Sequence, residues 1–144
     1  MRAFFACLLS VPILAGCVND GVAYDINNDR QTSISILREQ PLFWNNTVHF
    51  DVVLSRMPDC TRRHTMGDGT TSTQIDVFQV PSSAYILKMD DRYFAAELET
   101  CEGFAEIKDL NEQGEPVNGT GIYRGRFHTQ NKTWVFTKAQ NLKQ

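Results

Sequence analysis

The sequence predicts an all-β fold: a single small antiparallel meander of about seven or eight strands, closed as a barrel or folded as a sandwich. Three observations carry that expectation. From Thr47 to Arg56 the apolar residues Val48, Phe50, Val52 and Leu54 alternate with His49, Asp51 and Ser55, Val53 being the one exception. This is the period of a strand with one buried and one wet face. Turn-forming residues recur at short intervals between the later apolar runs, and no segment holds a helical period of ten or more residues with a capping signal. The 144 residues suit one ordinary domain, and 42% hydrophobic with 22% charged residues are globular values.

Taken in order, the chain begins Met1-Arg2, continues with an apolar run from Ala3 to Leu14, and reaches Ala15-Gly16-Cys17. A short positive start, an apolar stretch and small residues before a cut form an export signal. The run is shorter than the ~20 apolar residues a membrane helix needs, so residues 1–16 read as a segment to be removed. The tetrad Leu14-Ala15-Gly16-Cys17 resembles the lipobox of bacterial lipoproteins. The resemblance covers only these first residues. It implies that the Cys17 thiol receives a diacylglycerol, that a peptidase cuts before it, and that the freed amine is open to acylation. An ordinary secretory signal with an incidental Cys17 is the alternative. Burial is worth ~0.8 kcal/mol per methylene, so one acyl chain binds marginally whereas two or three hold a protein in place. A peripheral mature protein is therefore expected, bound to the membrane through lipid on Cys17, with no helix in the bilayer. Val18 stands where an aspartate, in enteric-type bacteria, would suggest inner-membrane retention. The implied location is thus the cell envelope, at the periplasmic face of the outer membrane of a Gram-negative bacterium.

Processing also simplifies the cysteines. Cys7 leaves with the signal and Cys17 takes the lipid, so Cys60 and Cys101 remain, an even pair in an oxidising compartment. A disulfide is expected, with a reactive thiol or a metal ligand as alternatives. Closing that loop would stabilise the fold by roughly 4 kcal/mol in the chain-entropy model. Loss of residues 1–16 removes Arg2 alone among the charged side chains, taking the formal net charge from -3 to -4. Such a domain offers no overall field for nucleic acid.

Residues 17–31 are Asn/Asp-rich and read as a lipidated tether, followed by a β domain over 32–144. Ile34 and Ile36 mark a first strand and Thr47–Arg56 a second. Gly67-Asp68-Gly69 reads as a loop. Thr73–Val80 and Ala84–Met89 flank Pro81-Ser82-Ser83, which keeps proline out of the ladder. Ala84–Met89 and Arg92–Glu99 flank Asp90-Asp91, a two-residue hairpin loop. On the second arm Phe94, Ala96 and Leu98 face one way, and Tyr93, Glu97 and Glu99 the other. Gly103–Lys108 is a short strand candidate, Asp109–Gly119 a polar connection, and Gly121–Phe127 with Thr133–Lys138 a last hairpin.

The most unusual stretch is Arg56-Met57-Pro58-Asp59-Cys60-Thr61-Arg62-Arg63-His64. Arginine forks recognise carboxylate and phosphate, so Arg56, Arg62, Arg63 and His64 are candidates for an anion-binding surface. The plainer alternative is a solvated loop whose arginines pair with Asp59, Glu97, Glu99 and Glu102. His49, His64 and His128 lack paired metal spacing. His49 and Asp51 share a strand face, where exposed polar residues explain them as well as an acid–base pair does. Phe43, Trp44, Trp134 and Phe136 are expected in core or strand-end packing. No Gly-x-Ser-x-Gly, Walker or His-Glu-x-x-His motif is present, and no cofactor is indicated.

The expected function is that of a non-enzymatic envelope lipoprotein that binds an envelope protein or wall component. A periplasmic inhibitor of a lysozyme-type wall hydrolase is an alternative of suitable size. A hydrolase with an unrecognised site is a third, more remote one.

Overall fold

A computed structural model describes residues 18–142, which lie in strands, loops, turns and two single-turn 3-10 helices, Ile26–Asn28 and Ala139–Asn141. The lipidation expected at Cys17, and the signal segment before it, fall outside the described residues. Ten strands form: β1 (Asn19–Asp25), β2 (Thr32–Glu39), β3 (Thr47–Arg56), β4 (Cys60–Thr70), β5 (Ile75–Gln79), β6 (Ala84–Met89), β7 (Arg92–Glu97), β8 (Phe104–Glu106), β9 (Ile122–Gln130) and β10 (Thr133–Lys138). They make a four-stranded sheet, β1-β2-β3-β4, and a six-stranded sheet, β10-β9-β5-β6-β7-β8, every pairing antiparallel. The sheets are not closed into a barrel, and their inner faces meet as a sandwich.

The alternation read in Thr47–Arg56 supplies half of that core. Val48, Phe50, Val52 and Leu54 are fully buried, together with Ile34 and Ile36 from β2. Across from them lie Ile75, Val77, Leu87, Met89, Phe94, Ala96, Phe127 and Trp134, and the two sets form one apolar cluster. At ~25 cal/mol per Å² of apolar surface removed from water, this double layer is the principal stabilising contribution.

The flanks of the sandwich are clasped differently. On one side β1 lies over β10, where the Tyr24 and Phe136 rings stack with centroids 4.4 Å apart. On the other, β4 faces β7 and β8, and the Cys60–Cys101 disulfide joins them with its Cα atoms 5.9 Å apart. His64 tucks in beside it, donating from Nε2 to the Cys101 carbonyl at 2.7 Å and stacking on Phe104. Arg92 of β7 also reaches across, donating to the carbonyls of Met66 at 3.3 Å and Asp68 at 2.8 Å.

Several expectations need correction. Residues 17–31 were expected as a tether, yet Asn19–Asp25 is a full strand, paired with β2 from Asn19↔Glu39 to Asp25↔Ser33. The reason is a sparse alternation hidden among the Asn and Asp residues: Val22 packs against the core, and Tyr24 and Ile26 are buried in it. Gly67-Asp68-Gly69 is no loop but part of β4, where the register shifts between Phe50 and Asp51. Gly67 adopts φ +106° there, a conformation that glycine reaches without the cost other residues meet, so the strand kinks and continues. Arg62, Arg63 and His64 likewise lie in β4, and only Met57-Pro58-Asp59 form the turn. Phe43 and Trp44 are not core residues: they are 57% and 71% exposed. Trp134 is buried and Phe136 half-buried against the cluster.

The hairpins follow their local chemistry. Asp90 takes φ +54°, and Asn131-Lys132 take +50° and +66°, the pair of positive values that a type I′ turn requires. The meander holds for β1–β4 and for β5–β8. It breaks after β8, because β9 pairs with β5 and must return past β7 and β6 to reach it.

Candidate functional site

That return encloses a concave, largely apolar surface. The connection Ile107–Gly121 leaves the β8 edge and crosses back over the outer face of the six-stranded sheet. It is well braced for a surface loop. The Ile107 amide donates to the Tyr93 carbonyl at 2.7 Å, Val117 to Asp109 at 3.2 Å, and Leu110 and Pro116 form an isolated bridge. Asn111 Oδ1 accepts from the amides of Gln113 and Glu115, closing the tip.

Beneath the connection lies a pocket of about 460 Å³, within the range of about 300–1,000 Å³ usual for small-ligand sites. Ile86 and Ala95 form part of its floor on the sheet, and Ile107, Pro116 and Val117 contribute from the loop. Ile86, on the outer face, is nonetheless only 6% exposed, and Pro116 is buried. At the surface Val117 and Ile122 remain 64% and 62% exposed, so an apolar rim stands beside an apolar hollow. Asp109, Ser82 and Asn118 are the polar side chains at its edge, and no cation lines it. Tyr85, next to Ile86 in the strand, turns the other way into the core, where burial pushes its phenol above the ordinary value, with Tyr24 adding to the rise and Arg124 opposing it.

The basic segment takes another form. Arg56 pairs with Asp59, Nη2 to Oδ2 at 2.9 Å, at the turn after β3. Arg62 faces Glu102 at 3.9 Å, beside the second half-cystine. Arg63 donates from Nε to Asp51 Oδ2 at 2.7 Å on the opposite, outer face of the four-stranded sheet. Because neighbouring strand residues point to opposite faces, Arg62 and Arg63 cannot share one ligand. The structure therefore does not bring Arg56, Arg62, Arg63 and His64 together. Glu97 takes a different part from the one expected: its carboxylate accepts from the amide and hydroxyl of Thr100 and caps the turn carrying Cys101. Burial tends to raise its pKa, but these hydrogen bonds, with others from Glu99 and Gly103, prevail and hold it below the usual carboxylate value.

His49 pairs with Asp68 across β3 and β4, while Asp51 belongs to Arg63, so the two residues on that face have separate partners. His128 bonds the Thr137 hydroxyl at 2.8 Å. Among the described residues no group of three or more His, Cys, Asp or Glu side chains is placed to hold a metal ion. No helix among them is long and apolar enough to cross a membrane.

The pocket escaped the sequence reading, which treated Asp109–Gly119 as a polar connection. A signal was present in Tyr85-Ile86-Leu87, three consecutive apolar residues in a strand, which means burial on both faces. The inner face meets the sandwich core, so something else has to cover Ile86. Compared with family models, with curated proteins and with solved structures, the chain matches none.

Proposed function

We propose that the chain is a lipid-anchored lipoprotein of a bacterial envelope whose mature domain is a non-enzymatic binding module. Its partner is an envelope protein that seats an apolar side chain beneath the Ile107–Gly121 connection. The single observation behind the binding role is the pairing of an apolar pocket with the exposed rim residues Val117 and Ile122. Protein interfaces concentrate their affinity in such places, where one buried anchor fills a pocket and neighbouring apolar contacts exclude water. The anchoring half of the proposal is supported by Leu14-Ala15-Gly16-Cys17 and the apolar run before it.

Two measurements on the full chain in cells separate the halves. Fatty-acid labelling should depend on Cys17 and vanish in Cys17→Ser; normal labelling and processing in that variant would remove the anchor. A photoreactive benzophenone side chain at position 117 should give a discrete protein adduct. Ala95→Trp fills the hollow from the sheet side and should abolish that adduct without lowering the melting temperature. An adduct of undiminished yield in Ala95→Trp would exclude the pocket as the binding site.

A further inference from the structure

Three consecutive large apolar side chains project from the loop between β2 and β3. Leu42, Phe43 and Trp44 are 41%, 57% and 71% exposed, in a chain that buries its other tryptophan to 2%. Scattered surface apolar residues are ordinary, but a contiguous trio at one loop tip is not. Nor is this a slack segment that failed to pack. The Asn45 amide donates to the Leu42 carbonyl at 3.0 Å, and Gln40 Nε2 donates to the Asn45 carbonyl at 2.6 Å. Asn45 Oδ1 accepts from the Thr47 amide and hydroxyl. The Phe43 and Trp44 rings meet edge to face, 4.8 Å between centroids. The fold thus holds the trio outward, at the cost of keeping apolar surface in water.

Position tells what covers it. The Gln40 amide donates to the Val18 carbonyl at 2.8 Å, so the start of β1 and the start of this loop lie side by side at one end of the sandwich. Cys17 is the next residue, and consecutive Cα atoms are only ~3.8 Å apart. There is no spacer, because β1 begins at Asn19. A lipid on Cys17 would therefore bring this end of the domain down to the headgroups, with Leu42, Phe43 and Trp44 facing them.

We propose that the Leu42-Phe43-Trp44 loop inserts into the bilayer interface beside the acylated Cys17, as a second membrane contact that orients the domain. This inference rests on the lipobox reading of Cys17. Aromatic side chains favour the membrane–water boundary, where the ring is desolvated and the indole N–H stays near polar headgroups. Charge does not drive the contact. Lys132 in the β9–β10 turn and Asp90 with Asp91 in the β6–β7 turn lie at the same end, since Thr129 reaches Thr71 and Thr73 reaches Asp90. One lysine against two aspartates leaves these turns net negative, so charge gives no attraction to an anionic surface and apolar burial has to carry the contact. The Ile107–Gly121 pocket, on the outer face of the other sheet, is left open to an envelope partner.

The test uses the full acylated protein in vesicles of phosphatidylethanolamine and phosphatidylglycerol, with and without brominated acyl chains. Mass measurement of the N-terminal peptide in the same sample reports acylation. Brominated lipid should quench Trp44 and leave Trp134 untouched, so Trp44→Ala should lose the quenching entirely. Acylated protein whose emission ignores brominated lipid overturns the loop insertion and leaves the anchor standing. A non-acylated Cys17 in protein recovered from the envelope overturns the anchor, and the insertion with it. Shielding of Trp44 that appears without vesicles and rises with protein concentration assigns the loop to a second copy of the chain, against the proposal.

Discussion

The Arg38 guanidinium holds the Asp20 carboxylate in a two-point fork, Nε to Oδ1 at 2.8 Å and Nη2 to Oδ2 at 2.7 Å. Arg38 also lies 4.3 Å above the Trp134 ring and donates from Nη1 to Thr129 Oγ1 at 3.0 Å. One side chain therefore ties β1 and β2 to β9 and β10 along the flank that has no disulfide. Arg38 is 3% exposed and Asp20 39%, so the cation is desolvated while the carboxylate keeps some water.

Removing a buried member of such a pair leaves the other without compensation and also loses the ring contact. Arg38→Ala should lower unfolding free energy by about 3 kcal/mol, and Asp20→Asn by about 1–2 kcal/mol. Urea denaturation of the two single variants and the double variant measures this. A loss in Arg38→Ala no larger than about 0.5 kcal/mol, the usual surface value, would show that the flank is held by packing alone.

The opposite flank depends on Cys60–Cys101, a pair 41 residues apart in sequence. The double variant Cys60→Ala/Cys101→Ala should be less stable by about 4 kcal/mol, because a cross-link of this span removes loop freedom from the unfolded chain. Reduction of the wild-type protein should produce the same fall in melting temperature. Two free thiols in protein isolated under oxidising conditions would contradict the pairing.

Gly125 occupies β9 at φ +152°, where a Cβ would strike the Thr137 carbonyl oxygen and the Phe136 ring. Gly125 pairs with Val77 at the register shift between Val77 and Phe78, so the glycine sits at the irregularity in β9. Gly125→Ala should cost about 2–4 kcal/mol, through strain and displaced pairing. An unchanged melting temperature would mean that the kink can relax.

Tyr123 should titrate late. Burial comes first among the causes, and the Asp76 carboxylate, which accepts its hydroxyl hydrogen at 3.1 Å, adds to it; Arg126 opposes them. Together they push the phenol from 10.0 up to about 12. Below the unfolded value the neutral phenol is shared by both states and its contribution is fully present. Between 10.0 and about 12 the unfolded chain ionises first, so stability falls as pH rises through that window. Phenolate absorbance should show a late transition that disappears in Tyr123→Phe, and the variant should lose less stability across the same range. A transition near the ordinary value would place Tyr123 in water.

What could be read locally was read from the chain alone. Thr47–Arg56, Ala84–Met89 and Thr133–Lys138 are strands with the expected bounds. Their alternation and their turn residues are properties of a few neighbouring positions, and the Asp90-Asp91 hairpin follows from the same local chemistry. Cys60 and Cys101 are expected to pair on the reading that an export signal accounts for Cys7 and Cys17, and the disulfide between them is present.

The tertiary structure decided everything that depends on distant partners. Asn19–Asp25 is weak as a lone segment and becomes a strand because β2 supplies its hydrogen bonds and Phe136 a surface for Tyr24. Arg62 and Arg63 look like one cluster in sequence, but the pleat sends them to opposite faces, where Arg63 bonds Asp51 and Arg62 faces Glu102. The pocket exists only because β9 joins β5 rather than β8, which forces a loop over Ile86. Phe43 and Trp44 look like core by composition, and the sandwich leaves them no facing surface. Local propensity sets where strands begin and end. Which sheet a strand joins, and which apolar side chains go without cover, is settled by contacts between residues far apart in the chain.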